Sequence, residues 1–123
     1  MNRSLFEKLV SEALDSLPPE FQEKLSNVAV VVEELAPQTM IRKQNLRNPY
    51  QLLGLYEGVP HSKRGYGYSF ILPDRISLYQ KAIEAQANTP EEIRALVRKV
   101  LLHEIGHHFG LSEADLERIE GDD

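Results

Sequence analysis

The sequence predicts an α/β chain of the α+β kind: a small mixed sheet, an N-terminal helix, and a late helix that carries the chemistry. Three observations predict it. Apolar residues recur at helical spacing from Leu5 to Leu17. Val28-Ala29-Val30-Val31-Val32 is a β-branched run of strand length. Thr89-Pro90-Glu91-Glu92 is a helix start, with a capping residue, proline at the first position and an acid three after the cap.

At 123 residues the chain is expected to be one domain over 1–123, long enough to bury a core without staples. A hydrophobic share of 41% and a charged share of 27% are ordinary for a globular protein. With no cysteine, disulfides and thiolate metal sites are excluded. No signal-like or membrane-length apolar run is visible, so a cytoplasmic protein is expected. A net charge of −5 argues against nucleic acid as partner.

In chain order, Ser4 to Leu17 reads as a helix, with Ser4 and Glu7 forming a capping box. Pro18-Pro19 ends it, and Pro19 suits the first turn of a short second helix through Phe21 and Leu25. The valine run reads as a strand covered on both faces. Residues 38–51 are expected to be a polar connection. Leu52 to Tyr56 reads as a second strand, stopped by Gly58 and Pro60. Phe70 to Leu72 is expected to be a brief strand, Pro73-Asp74 a turn, and Ile76 to Tyr79 the last strand. From Thr89 the helical period places Ile93, Leu96, Val97 and Val100 on one face, which His103, Glu104 and His107 continue. That puts the three polar residues inward, with Arg94, Arg98 and Lys99 on the other side. Ser112 with Asp115 marks a short final helix carrying Leu116 and Ile119.

The decisive stretch is His103-Glu104-Ile105-Gly106-His107, an H-E-x-x-H pattern. Residues four apart on a helix sit one above the other, so His103 and His107 can offer two imidazole nitrogens to one cation. Glu104 is placed to take a proton from a metal-bound water, whose pKa zinc lowers to about 7. Catalytic zinc takes three protein ligands, so one more is needed. Gly110 can end the helix and turn the chain back, since glycine adopts φ > 0 without steric cost. Glu113, Asp115, Glu117 and Glu120 follow it.

The whole motif reads H-E-x-x-H-x-x-G-x-x-E and resembles that of the metzincin metallopeptidases. More closely, the chain resembles the minimal zincin-like metallopeptidases. The residues that carry this are the doublet His107-His108, Phe109-Gly110, the acid at 113, and upstream Leu53-Gly54-Leu55-Tyr56-Glu57-Gly58 and Leu72-Pro73-Asp74-Arg75-Ile76-Ser77-Leu78-Tyr79. The resemblance implies a minimal zincin-like fold with zinc held by His103, His107 and Glu113. It also implies a peptide substrate paired antiparallel to a sheet-edge strand, for which Leu52 to Tyr56 is the candidate. One departure is that no methionine-turn sequence follows the site. Asp115 is the rival third ligand, although capping by Ser112 also accounts for it.

Other signals carry less. His108 lies about 100° around the helix from His107 and is expected to pack or to support the site. His61 is a lone histidine. Tyr66 and Tyr68 are candidates for an oxyanion contact or for ring packing. Arg64-Gly65-Tyr66-Gly67-Tyr68 matches the start of an RNA-binding motif, but Ser69 and Ile71 break it. The function expected is zinc-dependent peptide-bond hydrolysis with Glu104 as general base, acting on a peptide or protein, with neither nucleic acid nor membrane as partner. The alternatives are a metal-dependent hydrolase of another bond, such as an endoribonuclease, and a non-catalytic binding protein on the same scaffold.

Overall fold

The fold is that of a computed structural model, which describes residues 1–58 and 73–121, the side chains of 113, 119 and 120 excepted. The first helix, α1 (Arg3–Asp15), buries Phe6, Leu9, Val10 and Ala13, the stripe its apolar spacing dictates. Its cap is Asn2, whose side chain accepts from the Leu5 N–H at 2.8 Å. The expected Ser4 cap is thereby corrected: Ser4 lies inside the first turn. Helix α2 (Pro19–Lys24) starts on proline as expected and buries Phe21.

Strand β1 (Val28–Glu33) pairs in parallel with β3 (Asp74–Tyr79), from Val28 opposite Asp74 to Glu33 opposite Tyr79. Strand β2 (Gly54–Glu57) lies antiparallel on the other side of β3, from Gly54 opposite Leu78 to Glu57 opposite Arg75. The sheet order is therefore β1-β3-β2. Among the described strands the valine run lies at one edge, and its residues are half-buried, which corrects the expectation of coverage on both faces. The fully buried strand residues are Ile76, Ser77, Leu78 and Tyr79 of the central β3. Asp74 opens that strand instead of making a turn.

Residues 38–51 depart most from expectation. They contain α3 (Gln38–Lys43) and a 3₁₀ turn at Pro49–Gln51. Ile41 anchors α3 in a small cluster with Ala36, Tyr79 and Ala82. Helix α4 (Gln80–Glu84) follows β3 without a loop, and is too short to leave a period in the sequence. Helix α5 (Pro90–His108) packs on α1, and α6 (Glu113–Gly121) folds back on α5. The main core joins Phe6, Leu9, Val10 and Phe21 to Ile76 and Leu78 of β3 and to Val97, Leu101 and Ile105 of α5. Among the described residues no helix is long and apolar enough to cross a membrane. The expected strand at Phe70 to Leu72 lies outside the described residues.

Candidate metal centre and active site

Helix α5 starts where the sequence places it. Thr89 Oγ1 accepts from the Glu92 N–H at 3.1 Å, and Pro90 occupies the first turn, where its missing N–H costs nothing. Its core-facing residues are Ile93, Val97, Val100, Leu101, Leu102, Ile105 and Gly106. His103 and Glu104 are half-buried and His107 is exposed. The motif therefore flanks the buried stripe instead of continuing it inward. The steps of four from Val97 through Leu101 to Ile105 set the stripe, and they turn His103 and His107 to its margin.

The His103 and His107 rings lie 5.9 Å apart between centres and nearly perpendicular, at 82°. Two imidazoles on one tetrahedral zinc put their ring centres roughly 5 Å apart, within reach of side-chain rotation. Glu104 points elsewhere: its Oε1 accepts from the backbone N–H of Tyr56 at 2.9 Å. Burial raises the Glu104 pKa above the ordinary carboxylate value, against the Tyr56 N–H and the two histidines, which lower it.

Strand β2 supplies that N–H because of its register. The Tyr79 N–H donates to the Leu53 carbonyl at 2.9 Å, so 53, 55 and 57 face β3 and the backbone groups of Gly54 and Tyr56 face away from it, toward the side where, among the described residues, no strand pairs with β2. Gly54 permits the close approach of helix and strand: a Cβ there would lie 2.7 Å from Val100 Cγ1. The expected edge strand at Leu52 to Tyr56 is thus at the sheet edge, starting two residues later.

Tyr56 is held by more than its N–H. Its hydroxyl donates to Asp74 Oδ2 at 2.7 Å, and its ring stacks on His108 with centres 3.8 Å apart and planes 19° apart. Burial, then the hydrogen bond to Asp74 and the Asp74 charge, push the Tyr56 pKa up to about 12. His108 Nε2 lies 3.8 Å from Asp74 Oδ2. His108 is therefore a packing neighbour of the site, as its turn away from His107 predicts. Tyr56 and Asp74 are site neighbours that the sequence reading gave no such role. Nothing local marks them, because Tyr56 meets Glu104 across 48 residues of chain.

Beyond His108 the chain turns on Gly110, at φ +81°. The Leu111 N–H donates to the Gly106 carbonyl at 2.7 Å and the Gly110 N–H to the His107 carbonyl at 3.2 Å, which closes a Schellman motif. Leu116 is fully buried against α5, and a Cβ on Gly106 would collide with it. Ser112 and Asp115 cap α6 reciprocally: the Ser112 N–H donates to Asp115 Oδ2 at 3.2 Å, and the Asp115 N–H to Ser112 Oγ at 3.1 Å. The Ser112 hydrogen bonds hold the Asp115 pKa below its ordinary value. Asp115 is thus engaged in the cap. Glu113 opens α6, and its side chain lies outside the described residues, as do Glu120, His61, Tyr66 and Tyr68. Among the described residues no three His, Asp or Glu side chains converge on one point. The donor types at hand, two imidazoles with a carboxylate beyond a tight turn, suit zinc.

Beside His103 and Glu104 opens a cavity of 380 Å³ between α5 and the start of β2. Leu52, Leu53, Leu96 and Val100 line it, with Lys99 at the rim. Lys99 was expected on the side of Arg94 and Arg98. Those two reach Glu12 of α1 and Ser16, its C-cap, instead.

A conserved hypothetical protein of solved structure from Thermo thermophilus shares the fold with a TM-score of 0.51 and 24% identity, over 99% of this chain and 100% of that one. No curated protein matches the sequence. The profile of the family described as zincin-like metallopeptidase matches residues 25–122, from before β1 through α6. The chain belongs to the zincin-like metallopeptidase family.

Proposed function

We propose that the protein is a zinc-dependent peptidase, with His103, His107 and Glu113 as metal ligands and Glu104 as general base. The observation that carries this is the hydrogen bond of Glu104 to the side of β2 turned away from β3. One helical turn presents two imidazoles, while the acid between them is held at the strand along which an extended peptide would lie. Bound zinc supplies Lewis acidity and a water of lowered pKa.

The chain's own residues do the rest. The Tyr56 N–H orients the Glu104 carboxylate through Oε1. Partial burial raises the proton affinity of Glu104, which suits a group that takes a proton from water and returns it to the leaving amine. The outward backbone groups of β2 other than the Tyr56 N–H, which Glu104 engages, are suited to hold a peptide by strand addition. Peptide or protein is thus the proposed substrate, with no part for nucleic acid or membrane.

The test is metal content of protein purified without a metal-binding tag, followed by hydrolysis of a mixed peptide library. About one zinc per chain and cleavage abolished by Glu104→Gln are expected. A wild-type protein that takes up no zinc refutes the metal centre. A zinc-loaded protein that cleaves no peptide refutes the peptidase.

A further inference from the structure

The cavity beside Glu104 has a direction. Helix α5 and strand β2 run side by side the same way: Val100 meets Gly54, Glu104 meets Tyr56, and His108 meets Tyr56. A peptide added antiparallel to β2 runs from the His108 end toward the Gly54 end. Residues after the bond beside Glu104 then enter the cavity lined by Leu52, Leu53, Leu96 and Val100.

Two charged side chains line the cavity one helical turn or more apart on α5. One is Glu104, which repels a second carboxylate. The other is Lys99, exposed and, among the described residues, in no ion pair or hydrogen bond. Lys99 precedes His103 by one helical turn, about 6 Å along the axis. One extended residue spans roughly 3.5 Å, so a single residue bridges much of the interval, and the lysine side chain covers the remainder.

Resting on the peptidase reading, we propose that this cavity is the subsite for a C-terminal apolar residue whose free carboxylate pairs with Lys99. The protein would then act as a carboxypeptidase on peptides that end in an apolar residue. One water is consumed. Its hydroxide joins the acyl carbon, the C–N bond breaks, and Glu104 carries the remaining proton to the leaving amine. The apolar walls hold the side chain of the released amino acid, and Lys99 holds its carboxylate.

The experiment has a binding arm that needs no catalysis. N-acetyl-leucine and N-acetyl-leucinamide are titrated into the full-length chain, metal-free and zinc-loaded, and the amide signals of Leu53, Leu96 and Val100 are followed by NMR. The free acid is expected to bind about fivefold tighter than the amide, the upper range for one exposed ion pair, and to lose that margin in high salt. Lys99→Met should erase the preference and Lys99→Arg should keep it. Arg98→Met, one residue away but turned to α1, should leave it intact. Equal binding of acid and amide, no binding of either, or a preference that survives Lys99→Met overturns the subsite. The hydrolysis arm compares peptides with free and amidated C-termini on the zinc-loaded protein. If no peptide is cleaved but the Lys99-dependent preference holds, the peptidase reading fails and the carboxylate subsite stands. If amidated and free peptides are cleaved equally, the peptidase stands and the subsite fails.

Discussion

The carboxylate of Glu104 accepts the backbone N–H of Tyr56 at 2.9 Å across 48 residues of chain. This contact ties the general base proposed on α5 to the side of β2 turned away from β3, so the acid and the strand proposed to hold the peptide are set by one interaction. Tyr56 is itself braced by Asp74 and His108.

The pairing makes Glu104→Gln an informative variant. The amide oxygen can still accept from Tyr56, while the proton acceptor is lost. Hydrolysis is expected to vanish and zinc to remain. The metal-free variant should also differ in its pH profile. Because burial raises the folded-state pKa of Glu104, its contribution to stability is present below about pH 4.5 and is lost as pH rises through the raised value. The variant lacks that loss, so at neutral pH it should melt no lower than wild type. Thermal melts of both proteins from about pH 4 to 8 check this. A lower melting temperature for the variant at neutral pH would mean that the charge itself stabilises the metal-free fold.

Tyr56→Phe keeps the ring on His108 and removes the hydrogen bond to Asp74. A bond to a charged acceptor contributes about 1.5–3 kcal/mol, so a loss near the lower bound is expected for a half-buried pair. The Tyr56 phenol, pushed up to about 12, holds its proton in the folded state at pH values where the unfolded chain loses it. Its contribution is therefore complete below about pH 10 and fades as pH rises toward about 12. Alkaline difference spectroscopy should show a late tyrosine step that disappears in Tyr56→Phe.

The two candidate carboxylates beyond Gly110 separate by function. Asp115 is bonded reciprocally to Ser112, so Asp115→Ala should lower the melting temperature slightly and leave zinc affinity unchanged. Glu113→Ala should leave only two histidines, and zinc affinity should fall steeply. Zinc titration of each metal-free variant distinguishes them. Tight binding by Glu113→Ala with loss in Asp115→Ala would reverse the assignment.

The hinge between the two histidines and that acid is equally exposed to test. Gly110 sits at φ +81°, so Gly110→Val should strain the turn and weaken zinc binding and stability together. Gly106→Ala leaves the turn intact but drives a methyl into Leu116, which should shift α6 from α5. Melting curves with and without zinc are the measurement. A Gly106→Ala protein whose zinc affinity matches wild type would show that the position of α6 has no part in the site.

Locally encoded features could be read directly. The α5 start rests on Thr89, Pro90 and Glu92, the turn on Gly110, and the α6 cap on Ser112 with Asp115. Each is settled within a few residues by hydrogen bonds the chain makes to itself. The spacing of His103, Glu104 and His107 is a property of one helical turn, so the pairing of the two imidazoles on α5 was legible without a fold. Tertiary structure decided the rest. The valine run is equally apolar at an edge or in the centre, and only its neighbours made β3 the middle strand. Helix α3 exists because Ile41 finds Tyr79 and Ala82, which no local period announces. The brace of Tyr56, Asp74 and His108, and the turn of Lys99 toward the cavity, depend on β2 meeting α5 at Gly54. Such contacts join distant residues by packing and register, and a linear pattern carries neither.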